Sequence, residues 1–272
     1  MSNAWALKPL SGTMSASSTA AGYDASYVLN DYAGVVWQSA TGAATRTLTI
    51  DLGAGYAALA IPDAALFFGC TGATTAWTLT VEAANSADFA TAYWSDGAAV
   101  SFLAGATMPT HGRGVGLWIA ATAPPSRRYW RFTFGSLASA AVTVARLMLG
   151  TRLTLERNFG FGGAFGVRDL GKLDFSAFAN LLRRRAAKLR TMAITFSNAK
   201  KDEVVGKIQP LIELVAGQET FAIVTDPAVA ADRQLRCWGG WMVGEMGTIQ
   251  RAGHAWVWKV NFVDLVPIPK AP

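Results

Sequence analysis

The chain has 272 residues, of which 51% are hydrophobic and 15% charged, with a formal net charge of +6. A globular chain usually carries about 25% charged residues, so this low charge and high hydrophobicity exclude an intrinsically disordered polymer. No apolar run reaches the roughly 18 residues that a transmembrane helix needs.

The greasiest stretch, Ala57 to Cys70, is broken by Pro62 and Asp63. The opening MSNAWALKPL lacks a basic segment followed by an apolar one, so no secretory leader is expected. Cys70 and Cys237 lie far apart with no CxxC spacing, which argues against a disulfide framework and a structural zinc site. A reduced, cytoplasmic site of synthesis is expected. A mean hydropathy of +0.26, to which the Ala-rich composition contributes, leaves few charges to cover the surface, so either Ser, Thr, Asn and Gly supply its polarity or, the favoured expectation, part of it is buried against other subunits.

Residues 1–150 read as β. Arg46-Thr-Leu-Thr-Ile-Asp-Leu places Leu48, Ile50 and Leu52 on one face. Trp77-Thr-Leu-Thr-Val-Glu-Ala does the same with Trp77, Leu79 and Val81, and Tyr129-Trp-Arg-Phe-Thr-Phe with Trp130, Phe132 and Phe134. Val142 to Leu149 closes the half. Period-two runs between Gly, Ala, Ser and Asp stretches predict antiparallel strands of a sandwich. Trp37, Trp77 and Trp130 are expected in its core.

Residues 151–272 read as mixed. Asp174 to Arg190 has Phe175, Phe178, Leu181, Leu182, Ala186 and Leu189 at helical spacing, which predicts an amphipathic helix with Asp174 as its N-cap. Glu203 to Ala216 is a second predicted helix, kinked or restarted at Pro210 and stopped by Gly217. Strands are predicted at Phe221–Thr225, around Cys237–Val243, and at His254–Leu265, where Trp256, Trp258, Val260 and Phe262 share a face. The tail PIPKAP is expected to dock or fray. The fold class is thus mainly β with some α, in domains 1–150 and 151–272. Residues 1–150 carry seven basic side chains (Lys8, Arg46, Arg113, Arg127, Arg128, Arg131, Arg146) and seven acidic ones (Asp24, Asp31, Asp51, Asp63, Glu82, Asp88, Asp96). All of the net positive charge therefore falls in residues 151–272.

Leu29-Asn30-Asp31, Trp37-Gln38-Ser39, Leu48-Thr-Ile-Asp-Leu-Gly53, Trp77 to Ser86, Arg128-Tyr-Trp-Arg-Phe132 and Arg146-Leu-Met-Leu-Gly150 resemble, in order and spacing, the discoidin or galactose-binding-like jelly roll. The match spans about residues 20–150. Leu153 to Phe159, Arg168–Leu170, Phe221 to Pro227 and Trp256 to Leu265 are similar to tail proteins of long-tailed bacteriophages, whose helix-flanked, tail-tube-like β-sandwiches assemble into rings. That resemblance implies a structural tail-tip or baseplate component of the distal or minor tail protein type. It implies a ring of copies of this chain, six by analogy, around the tail channel, assembled in the host cytoplasm and located in the virion. Its partners would be tail tube, hub and tape-measure proteins, with an outward jelly roll. Distal tail proteins usually place the ring-forming domain first, and here the order is reversed. The alternative is a carbohydrate-binding host-receptor adhesin or lectin-like module.

Candidate sites follow. Trp94, Asp96, His111, Arg113 and Trp118 surround the glycine-rich loop Gly105–Gly116 and form a candidate glycan contact, because sugar sites combine an aromatic platform with planar polar groups. The plain reading of that loop is a flexible connection; it lacks the lysine and hydroxyl of a phosphate loop. Arg183, Arg184, Arg185, Lys188 and Arg190 form a candidate basic helix face for an acidic neighbouring subunit, or a solvated face. Specific nucleic-acid binding is not expected, since a channel that passes DNA should not grip phosphate. Asp31 is a weak calcium candidate by resemblance, which also requires a glutamate where Ala145-Arg146 stands. His111 and His254 are the only histidines, and no HExxH or GxSxG occurs. Glu156, Asp169 and Asp174 have no convergent spacing. No enzymatic activity, cofactor, metal or membrane insertion is expected.

Overall fold

A computed structural model describes residues 3–42, 44–91, 93–215, 219–244 and 246–268. The expected stop at Gly217 and the last residues of the tail lie outside the described residues. In chain order the strands are β1 (Trp5–Pro9), β2 (Thr13–Ala16), β3 (Trp37–Gln38), β4 (Arg46–Asp51), β5 (Ala64–Cys70), β6 (Thr78–Ala84), β7 (Trp94–Ser95), β8 (Val100–Ser101), β9 (Gly114–Ile119) and β10 (Tyr129–Gly135). They continue with β11 (Thr143–Val144), β12 (Arg146–Thr154), β13 (Ala164–Asp169), β14 (Lys172–Phe175), β15 (Leu181–Arg184), β16 (Lys188–Ala199), β17 (Phe221–Val224), β18 (Cys237–Met242), β19 (Thr248–Ala252) and β20 (Ala255–Asp264). Two compact units result. The first comprises Met1–Thr154 and Phe221–Trp238; the second comprises Leu155–Thr220 and Gly239–Pro272.

The first unit is a β-sandwich of the jelly-roll kind. One sheet runs β17-β1-β12-β5-β9, and the other is six-stranded, β2-β4-β10-β6-β7 with β8 beside β6. The alternation of β10 sets the interior. Trp130 lies opposite Ile50, and Phe132 lies opposite both Leu48 and Val81. These side chains are fully buried. Phe67 of β5 meets Phe132 and Phe134 edge-on at 5.2 and 5.6 Å, which joins the two sheets through one aromatic cluster. Trp37, Trp77 and Trp130 are core, as expected, Trp77 from the residue just before β6. Gly150 lets β1 and β12 approach closely, since a Cβ there would overlap the Lys8 carbonyl.

The second unit is built on antiparallel strands β13-β16-β20, with β19 and the Gly240–Met242 part of β18 also paired to β20. Met192, Ile194 and Phe196 lie opposite Phe262, Val260 and Trp258, forming one buried face. The rings of Phe196 and Trp258 stack at 5.2 Å. Lys201–Val215 is helical, as expected, and buries Val204, Ile208, Leu211 and Val215. Its second segment, Val204–Ile208, is a π turn. Pro210 lacks an N–H, so the turn before it has no regular i→i−4 bond to form. Glu203 starts the helix by accepting from the Glu156 and Lys200 N–H groups at 2.6 and 3.2 Å.

The predicted helix over 174–190 is overturned. Lys172–Phe175 and Leu181–Arg184 form a hairpin, and Lys188 begins a strand of its own. The turn is closed by Ser176, whose Oγ accepts from the Phe178 and Asn180 N–H groups. Ala179 has φ +58°, outside helical space. Asp174 accepts from the Phe175 N–H and caps no helix. Every residue of both strands is exposed, so the apolar stripe that a helix would need to bury has no counterpart here.

Candidate functional site

The five residues of the expected glycan contact separate into two groups at opposite ends of β9. Trp94, Asp96 and Trp118 come together at one end. Trp118 is 1% exposed and meets Trp94 and Trp130 at 6.4 and 6.1 Å between ring centroids. Its indole Nε1–H donates to Asp96 at 2.8 Å. Asp96 also accepts from the Ala121 and Thr122 N–H groups. This group is therefore core packing plus a turn carboxylate whose oxygens are already occupied. Trp118 is closed off from ligands, and Trp94 is partly buried against the core.

His111 and Arg113 lie before the other end of β9. Five residue steps of strand separate Arg113 from Trp118, about 17 Å at ~3.3 Å per residue. The Arg113 N–H donates to His111 Nδ1 at 3.3 Å. The Arg113 guanidinium donates to the Ala33 carbonyl at 3.4 Å. That bond brings the glycine-rich loop to the turn that follows the 3-10 helix Ala25–Leu29. Tyr32, one residue before Ala33, is 74% exposed. Its N–H donates to Asn30 Oδ1 at 2.8 Å, an Asx turn that fixes the loop. An exposed phenol, an imidazole and a guanidinium thus sit on two tethered loops at one rim of the sandwich. Sequence reading selected His111 and Arg113 and missed Tyr32, because a lone tyrosine in the run Asn30-Asp31-Tyr32 carries no periodic signal.

Asp31 is paired with Arg146 at 3.1 Å. Arg146, 8% exposed at the start of β12, also donates to the Val28 carbonyl at 3.4 Å. The position where the resemblance calls for a glutamate instead supplies the cation to Asp31. Among the described residues no cluster of three or more His, Cys, Asp or Glu side chains could hold a metal.

The basic residues expected on a helix face are distributed over strands. Arg183 and Arg184 are on β15, Arg185 follows it, and Lys188 and Arg190 are on β16. Arg190 forms an ion pair with Asp264 inside the second unit. Burial raises the Asp264 carboxyl above its ordinary value, and Arg190 opposes that shift. Of the possible nucleophiles, the Cys70 thiol is buried and pushed up to about 12 by desolvation, which makes it inert at neutral pH.

By fold, then, the chain is a mainly β protein whose first unit is a jelly-roll sandwich. No protein-family model matches the chain, and no curated protein matches it. Several solved carbohydrate-binding modules are similar in structure over about half of the chain. Chitosan-binding module 1 of a chitosanase/glucanase from Paenibacillus sp. IK-5 has a TM-score of 0.36 and 16% identity, covering 52% of this chain and 96% of that one. The family 32 carbohydrate-binding module of C. perfringens NanJ, solved with galactose, has a TM-score of 0.39 and 15% identity, covering 54% and 98%. The lectin binding domain of Lectinolysin, solved as a mutant with Lewis b, has a TM-score of 0.36 and 12% identity, covering 53% and 94%.

Proposed function

We propose that the first unit is a carbohydrate-binding module whose contact surface is the rim formed by Tyr32, His111 and Arg113. The observation that carries this reading is the bond from Arg113 to Ala33, which sets a planar donor beside a loop bearing an exposed aromatic ring. A sugar offers an apolar C–H face and vicinal hydroxyls. The phenol ring covers the first, while guanidinium and imidazole bond the second. No residue in this group has the geometry of a general acid–base pair, so the proposed activity is binding without turnover. A glycan array on the full chain, followed by titration of any hit, tests this. Galactose, Lewis b and chitosan oligomers are the first probes. Tyr32→Ala and Arg113→Ala should each weaken binding at least tenfold while leaving the melting temperature nearly unchanged. Undiminished binding by both variants, or no binding to any glycan, sinks the reading.

A second reading is a structural component of a long-tailed bacteriophage tail tip, in which copies of the second unit assemble around the tail channel and contact tube, hub and tape-measure proteins. Edge strand β13 favours it. All six of its residues are exposed, including Phe165 and Val167, and an uncovered apolar edge is a template for pairing with another chain. Light scattering on the purified chain separates the readings. A closed multimer supports the second, and a monomer at high concentration removes it.

A further inference from the structure

The root of the β14–β15 hairpin borders an open pocket of about 660 Å³ lined by Asp169, Lys172, Arg183, Arg184, Arg185 and Lys188 together with Leu173, Leu181 and Ala186. Five basic residues and one acidic residue therefore line it. That carboxylate, Asp169, is opposite Lys188 in the β13–β16 register, and its Oδ1 already accepts the Gly171 N–H at 2.7 Å. Lys172 lies directly opposite Arg184 on the hairpin. Like charges in directly opposed positions destabilise an antiparallel pair. Among the described residues Lys172, Arg183, Arg184 and Lys188 make no ion pair. The hairpin is thus held with unrelieved repulsion at its base, and the volume is that of a small-molecule site.

We infer that this pocket binds a phosphate-bearing ligand, whose oxygens bridge Lys172 and Arg184, the opposed pair on one face of the hairpin, with Lys188 adding charge at its root. Phosphate suits the group because guanidinium forks bond two of its oxygens at once while the ammonium groups supply point charge. Leu173, Leu181 and Ala186 give the pocket an apolar wall. The phosphate comes either from a soluble polyphosphate or from the headgroup of an anionic lipid. This inference rests on the second unit alone and is independent of the glycan reading, which uses only the first.

The test is calorimetric titration of the full chain at low salt with tripolyphosphate, alongside sedimentation with phosphatidylglycerol/phosphatidylcholine vesicles and with phosphatidylcholine vesicles alone. One saturable site per chain is expected for tripolyphosphate, for the anionic vesicles, or for both, with none for neutral vesicles. A free-ligand signal without vesicle binding assigns a soluble source, and tighter binding to anionic vesicles assigns the headgroup. Lys172→Gln/Arg184→Gln should weaken that binding at least tenfold, and Lys259→Gln, on an exposed position of β20, should not. The melting temperature adds a readout that does not depend on affinity. Without ligand the double variant should melt no lower than the parent, because a like-charge pair has been removed. The ligand-induced rise in melting temperature should disappear. The inference is overturned by no saturable binding to either source, by equal binding of the double variant, by a ligand-free double variant that melts well below the parent, or by preference for duplex DNA over both probes.

Discussion

Asp96 and Asp51 hold the same kind of group in different surroundings. Asp96 takes the Trp118 indole N–H from inside the sandwich and two backbone N–H groups from the turn above it. Asp96→Ala leaves the buried indole donor without a partner, at a cost of about 2 kcal/mol in urea unfolding. The glycan binding proposed for the opposite rim should survive that change, which separates packing from recognition. Asp51 accepts two bonds from the Arg128 guanidinium at 2.7 and 2.8 Å, and this pairing lowers its carboxyl below 3.8. A carboxyl held lower in the folded state than in the unfolded one contributes stability above pH 3.8 and loses it as pH falls through the folded value. Asp51→Asn should therefore flatten the acid limb of a stability–pH profile below about pH 4, measured as the urea midpoint, with a small effect because the pair is partly exposed. The choice of Trp94, Asp96 and Trp118 from sequence found residues that do meet. It missed that Trp118 faces the core, because the loop reading of Gly105–Gly116 hid the first residues of β9.

At the level of elements, β9 forms the edge of its sheet in the first unit, and Gln234 guards it. The Gln234 amide accepts from the Val115 N–H at 2.7 Å and donates to the Val115 carbonyl at 2.8 Å, occupying both polar groups as a neighbouring strand would. Gln234→Ala should cost roughly 1–3 kcal/mol, since both backbone groups are buried, and should raise the rate of aggregation followed by turbidity. Elements with one wet face were legible from sequence. The alternations at Leu48–Leu52, Leu79–Val81 and Trp130–Phe134 became β4, β6 and β10, and Trp258–Phe262 became the buried face of β20. Strand β5 gave no such signal, because all seven of its residues are buried and period two vanishes when both faces are covered. The segment around Phe178 failed for a different reason. Spacings of three and four residues among Phe175, Phe178, Leu181 and Leu182 imitate a helical stripe, but they come from two short strands and the turn between them.

At the scale of the molecule, sequence order conceals one arrangement. Phe221–Trp238 lies in the later, basic half of the chain yet belongs to the first unit, where β17 pairs with β1 through Trp5–Val224, Ala6–Ile223 and Leu7–Ala222. Phe221, Ala222, Ile223 and Val224 are all buried. No local pattern encodes that pairing, because register between distant strands is set by the whole sandwich. A chain ending at Thr154 leaves β1 as a bare edge and exposes Trp5, Ala6 and Leu7. It should lose the cooperative urea transition of the first unit, or precipitate. Restoring residues 221–238 through a short linker should recover the transition.

The return of β17 also fixes an order of events during synthesis. The strands of the sandwich up to β12 leave the ribosome early, but the side of β1 away from β12 stays unpaired until residue 224 has emerged. All of 155–220 must come out first. Translation pauses within that interval prolong a state with an open, apolar strand, and nascent chains stalled there should bind chaperones that recognise apolar segments more strongly than chains released after residue 238.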